Sequence, residues 1–259
     1  MQAAAEAARA AGDAAHRRYR TRLAIEEKAD GSPVTEADRA AERAAREWIE
    51  ARFPADGIQG EELGRARPEA RRRWLIDPID GTRTFVRGVP LWGSLVAVAE
   101  GERVLAGAAC FPALGEAAAA ARGCGCWWNG ARCSVSAESS LERATVLVTD
   151  PRFAEAPARR AGWERLAARA ALSRTWGDCY GYLLVATARA EVMADPVLSP
   201  WDAAAVMVIV EEAGGAFTDW DGAPTAFGGS AVATNAALAR AARLVLAGAE
   251  ARSTRREHA

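Results

Sequence analysis

The stretch Trp74-Leu75-Ile76-Asp77-Pro78-Ile79-Asp80-Gly81-Thr82 is an apolar run that ends in two aspartates. Trp74–Ile76 predicts a short buried strand, with Asp77 and Asp80 at its exit. Carboxylates placed there lose hydration and repel each other. A hard divalent cation relieves both penalties, and Mg²⁺ takes carboxylate oxygens while sharing its shell with phosphate. Pro78 prevents a regular ladder and leaves the Ile79 carbonyl available as a further oxygen ligand. A helix starting at Gly81-Thr82 presents free backbone amides, which suit an anion. Carboxylates for metal beside amides for an anion suit metal-assisted phosphoryl transfer. Asp-Pro and Asp-Gly are also common turn formers, so the nonapeptide alone leaves both readings open.

Outward from this stretch, the pattern predicts alternating elements. Residues 2–28 read as an alanine-rich helix, Asp30–Pro33 as a turn, and Thr35 to about Phe53 as a second helix opened by a Thr35/Asp38 capping box. Arg65–Arg73 reads as a solvated loop. Leu91–Ala99 and Arg103–Phe111 read as a hairpin, and Asn129-Gly130 as a tight turn. Ala144–Thr149 is a strand that opens a second unit. After it come helices over 157–172, 180–190, 201–213 and 236–248, with strands over 191–195 and 230–234. This alternation predicts layered α/β packing, with domains 1–143 and 144–259. Ser253–Ala259 reads as a frayed tail.

Composition narrows the function. The chain has 259 residues, 33 Lys+Arg against 34 Asp+Glu, and a net charge of −1, which argues against a nucleic-acid module. No apolar run reaches the roughly 20 residues of a membrane span, and the amino-terminal residues lack a signal pattern. Five cysteines imply no disulfide framework and point to a cytoplasmic setting. The two histidines, His16 and His258, lie near opposite ends. Chemistry therefore rests on carboxylates, hydroxyls, amides and metal.

Two phosphatase signatures are decoys. Asp-x-Asp-Gly-Thr marks the nucleophile loop of haloacid-dehalogenase-type phosphatases, but Asp77 and Asp80 are three positions apart. Cys126-Trp-Trp-Asn-Gly-Ala-Arg132 satisfies Cys-x5-Arg, yet Trp127-Trp128 before Asn129-Gly130 reads as a hairpin.

Further acidic stations complete a pattern. Gly60-Glu61-Glu62, the nonapeptide, and Trp201-Asp202-Ala-Ala-Ala with Glu211-Glu212-Ala-Gly-Gly215 together resemble the inositol monophosphatase family, from about Asp30 to about Ala236. The resemblance implies a layered αβαβα fold of mixed α+β and α/β character, and a phosphomonoesterase that uses two or three Mg²⁺ ions. It implies Glu61, Asp77, the Ile79 carbonyl, Asp80 and Asp202 as metal ligands. Gly81 and Thr82 would bind phosphate through their amides, and Thr82, Asp38 and Glu61 would orient and deprotonate the attacking water. A homodimer is also implied. A catalytically silent binding protein on this fold is the rival of another class, disfavoured because every expected ligand is present.

The motifs set the reaction, and other segments bear on the substrate. Gly177-Asp178 before an aromatic, Phe85–Pro90 and Gly228–Asn235 look like the bacterial histidinol-phosphate phosphatases of the family. Asp178 and Asp195 would then accept charge-assisted hydrogen bonds from a cationic substrate. An inositol-1-monophosphatase or broad sugar-phosphate phosphatase is the alternative.

Overall fold

A computed structural model describes residues 1–29 and 31–248. Asp30 and the tail Ser253–Ala259 lie outside the described residues. The helices are α1 (Gln2–His16), α2 (Glu36–Arg52), α3 (Thr82–Val86), α4 (Pro157–Arg169), α5 (Asp178–Ala186), α6 (Pro200–Glu212) and α7 (Ala239–Ala247).

An eight-stranded sheet runs in the order 131–133, 125–128, 116–121, 103–111, 93–100, 72–80, 57–60, 64–66. Every neighbouring pair is antiparallel except 57–60 beside 72–80. A five-stranded mixed sheet follows, ordered 172–174, 145–147, 192–195, 231–234, 216–218.

Side chains along the strand Arg72–Asp80 point alternately to opposite faces, and both faces are buried from Trp74 to Ile79. Trp74 and Ile76 join the core beneath α1 and α2, whereas Leu75 joins the core around α5 and α6. Helix α6 is apolar nearly all round, because it lies between the two sheets and touches both. A third core joins the far face of the second sheet to α4 and α7. The layers are therefore α1/α2, sheet, α5/α6, sheet, α4/α7, the expected αβαβα sandwich. Leu75 is fully buried, so Leu75→Ala is expected to cost about 2–5 kcal/mol, read as a lower midpoint in urea unfolding.

The first helix is shorter than expected. It ends at His16, and residues 25–27 instead form a ribbon with 33–35. Tyr19 Oη donates to the Gly88 carbonyl at 2.5 Å and Arg20 takes a left-handed φ of 59°. That tether and backbone turn stop the helix although the sequence remains helix-compatible. Arg65–Arg73 is also more ordered than expected, contributing to the strands 64–66 and 72–80. Helix α5 begins at Asp178, two residues earlier than the pattern suggested. The Cys126–Arg132 segment is a hairpin around Asn129 and Gly130, both at positive φ, so it forms no phosphate cradle.

Candidate active site

A break in the ladder makes the site. Asp77 pairs with Leu95 and Asp80 with Gly93, so three steps on one strand oppose two on the other. Residues three apart in a regular strand face opposite sides; this bulge returns Asp77 and Asp80 to the same side. Pro78 sits in the bulge, where its carbonyl accepts the Ser94 hydroxyl at 2.6 Å. Asp77 Oδ1 accepts the Ile79 amide at 3.0 Å. Both aspartates thus share the face of Leu75, toward α6.

Helix α6 delivers Asp202. Ser199 is its N-cap, Pro200 occupies the first turn, and Asp202 Oδ2 accepts the Ser199 amide at 2.8 Å. A carboxylate there also favours the helix dipole. Asp77 and Asp202 are neighbours, and each carboxyl acts on the other. Burial, then the charges of Glu61, Asp80 and Asp202, push the Asp77 carboxyl well above its usual range. Burial and neighbouring carboxylates raise Asp80 and Asp202 to about 7.

Glu61 belongs to the turn after strand 57–60, and its amide donates to the Ile76 carbonyl at 3.2 Å. Its carboxylate meets Lys28 Nζ at 2.7 Å, and Glu62 meets the same ammonium at 2.5 Å. Among the described residues, no group of three or more His, Cys, Asp or Glu side chains is set to hold a metal ion; Glu61 is turned onto Lys28. The donor chemistry nevertheless fits Mg²⁺: hard oxygens, mutual repulsion, and three aspartates, Asp77, Asp80 and Asp202, whose charge burial disfavours.

Raised carboxyl pKa values mean that the folded chain binds more protons than the unfolded chain between the ordinary and shifted values. In chelator, stability is expected to rise as pH falls from about 8 toward about 5, and Mg²⁺ to flatten that slope. Thermal unfolding across pH, with EDTA or Mg²⁺, checks this.

On the other side of the bulge, Gly81 opens α3 at φ 89°. Thr82 Oγ1 lies 3.0 Å from both Asp38 Oδ1 and the Ile79 carbonyl. Donation to Asp38 leaves the Ile79 oxygen available. Asp38, buried in α2, accepts the Thr35 amide and hydroxyl at 2.8 and 2.7 Å on Oδ2, so its capping and site positions coexist.

Asp178 opens α5 at φ 51°, and its Oδ2 lies 3.3 Å from Thr84 Oγ1. The adjacent Cys179 amide donates to Asp80 Oδ2. Asp195 is buried, accepting the Thr149 amide at 3.0 Å and the Tyr182 hydroxyl at 2.9 Å. Burial raises the carboxyl pKa of both Asp178 and Asp195. Asp80, Arg83, Asp178, Asp195 and Asp202 line one cavity of about 380 Å³. A larger hollow, about 480 Å³, lies between α1 and the strands 103–111 and 116–121 and contains none of these residues.

Lys28, Thr149 and Tyr182 were not singled out in the sequence. Each acts across a long chain separation, and none belongs to a local motif.

Residues 1–254 match the Inositol monophosphatase family. The chain belongs to the inositol monophosphatase family. It is 44% identical over 222 residues to a histidinol-phosphatase of Chlorobaculum parvum, covering 85% of this chain and 86% of that protein. It is 31% identical to an inositol-1-monophosphatase of Rhizobium meliloti, covering 86% of each. The crystal structure of the extragenic suppressor protein suhB from Bartonella henselae superposes with a TM-score of 0.89, at 28% identity over 95% of this chain and 97% of that one. Enzymes of the inositol monophosphatase family are metal-dependent phosphatases, and the acidic face built by Asp77, Asp80 and Asp202 has the donor chemistry for that dependence. No helix among the described residues is long and apolar enough to cross a membrane.

Proposed function

We propose that this chain is a Mg²⁺-dependent phosphomonoesterase that hydrolyses L-histidinol phosphate to L-histidinol and phosphate, a step of histidine biosynthesis. The observation that carries the reading is the bulge that turns Asp77 and Asp80 to one face, opposite Asp202 at the start of α6. The substrate assignment rests on the histidinol-phosphatase relative and on the acidic cavity. The inositol-1-monophosphatase relative keeps an inositol phosphate as the alternative.

Glu61, Asp77, the Ile79 carbonyl, Asp80 and Asp202 would hold two or three Mg²⁺ ions. Bound there, Mg²⁺ supplies Lewis-acid charge and a water of lowered pKa. The remaining steps belong to the chain. Amides at Gly81 and Thr82 take the phosphate oxygens. Thr82 Oγ1 donates to Asp38 and keeps its lone pairs for the attacking water. Asp38 fixes that orientation, and Glu61 assists in taking the water's proton. The water oxygen forms the new bond to phosphorus as the ester oxygen leaves and gains a proton. Asp178, beside Gly81 and Asp80, and Asp195 put further carboxyl groups on the cavity wall, and these would take the ammonium or imidazolium of the substrate. Glu155 also lines the cavity.

The division into 1–143 and 144–259 is supported by the two sheets, which draw on residues 57–133 and 145–234 respectively. We take the enzyme to be a cytoplasmic homodimer.

The function is tested by phosphate release from L-histidinol phosphate. Turnover with Mg²⁺, loss with EDTA and recovery on added Mg²⁺ are expected. Unchanged turnover in EDTA would sink the metal-dependent reading.

A further inference from the structure

Glu42 is a carboxylate that the mechanism does not use, yet it is fully buried. It lies on α2 one helical turn beyond Asp38, on the same face of that helix. Its Oε2 accepts the Glu62 amide at 2.7 Å, and Leu63 N lies 3.2 and 3.3 Å from its two oxygens. Arg46 Nε closes the other side at 2.7 Å. The carboxylate also occupies the space beside Gly60: a Cβ on that residue would stand 1.9 Å from Glu42 Oε1 and 2.2 Å from Cδ. Gly60 and Glu62 flank Glu61.

Removing such a charge from water is costly, and an ion pair alone rarely repays it. The amides recover part of that cost, and they belong to the turn that presents Glu61. Helix α2 therefore touches the site twice: Asp38 receives the Thr82 hydroxyl, and Glu42 receives the turn after Glu61.

We propose that Glu42 is a positioning residue that sets the Glu61 turn for Mg²⁺ binding, and that Gly60 lacks a side chain to admit its carboxylate. The inference rests on the metal-site reading of Glu61. It assigns Glu42 no contact with metal or substrate.

The test is Mg²⁺ titration calorimetry on folded protein, with kcat and KM measured beside it. Glu42→Gln preserves size but turns an NH₂ group toward amides that themselves donate. It is expected to weaken the Mg²⁺ Kd by about 10–100-fold, the range for groups that orient metal ligands. At saturating Mg²⁺, kcat should return to within a few fold. A purely structural role would lower thermal stability and leave the Kd of the folded fraction unchanged.

Gly60→Ala reaches the same contact from the other side and carries the test if Glu42→Gln does not fold. It should also weaken Mg²⁺ binding. Glu42→Ala combined with Gly60→Ala should be no worse than Glu42→Ala, because the added methyl then has room; independent effects would multiply. No Mg²⁺ binding by the wild-type chain would overturn the metal-site reading and this inference with it. Wild-type binding with Glu42→Gln or Gly60→Ala unchanged within twofold would overturn the inference alone.

Discussion

Asp77→Asn is expected to lower kcat/KM about a thousandfold or more, a loss of about 4 kcal/mol of transition-state stabilisation, without making the metal-free fold less stable. Asp77 is 2% exposed. Its charge faces burial and the neighbouring Glu61, Asp80 and Asp202, all unfavourable without a cation. Asparagine removes that charge, and its amide oxygen can keep the bond from the Ile79 amide. The fold therefore has little to lose, while the proposed metal site loses a central ligand. Urea unfolding in EDTA should give a free energy equal to or above that of the wild type, while Mg²⁺ calorimetry loses its strongest signal. A variant that unfolds early in EDTA would mean that Asp77 serves the fold. Normal Mg²⁺ binding would mean that another group holds the ion.

The second large effect concerns substrate choice. Asp178→Asn is expected to lower kcat/KM for L-histidinol phosphate by about 10–100-fold, as for losing a charge-assisted hydrogen bond worth about 1.5–3 kcal/mol. Turnover of myo-inositol 1-phosphate should stay within a few fold. Asparagine is preferred to alanine because Asp178 has a φ of 51°, where asparagine is tolerated and alanine is strained. Asp195→Asn is a weaker discriminator. Both Asp195 oxygens already bond within the protein, to Thr149 and Tyr182, so its loss disturbs the cavity wall as well as its charge. Equal losses on both esters for Asp178→Asn would place this carboxylate with the general machinery at Asp80, whose neighbour it is.

The legible parts of the sequence were local. Thr35 and Asp38 form the expected capping box, and Asp202 stands at a helix start as read. Pro78 between two aspartates does break the ladder. What the sequence could not display was the geometric result: the bulge cancels the odd spacing and places Asp77 and Asp80 on one side. Contacts made across the chain also left no pattern. The Tyr19 bond to Gly88 ended α1 early, Lys28 reached Glu61 across 33 positions, and Thr149 found Asp195 across 46. Glu42 reads as one more polar residue on an amphipathic helix until the fold brings the Glu61 turn against it. Recognising the family depended on motif order, and motif order says nothing about such partners.

The most direct test of the whole account is a side-by-side comparison of L-histidinol phosphate and myo-inositol 1-phosphate with Mg²⁺, read as the ratio of kcat/KM values. The account predicts a preference of orders of magnitude for L-histidinol phosphate. A preference for myo-inositol 1-phosphate would contradict it, leaving the metal site standing and removing the cationic substrate from the cavity.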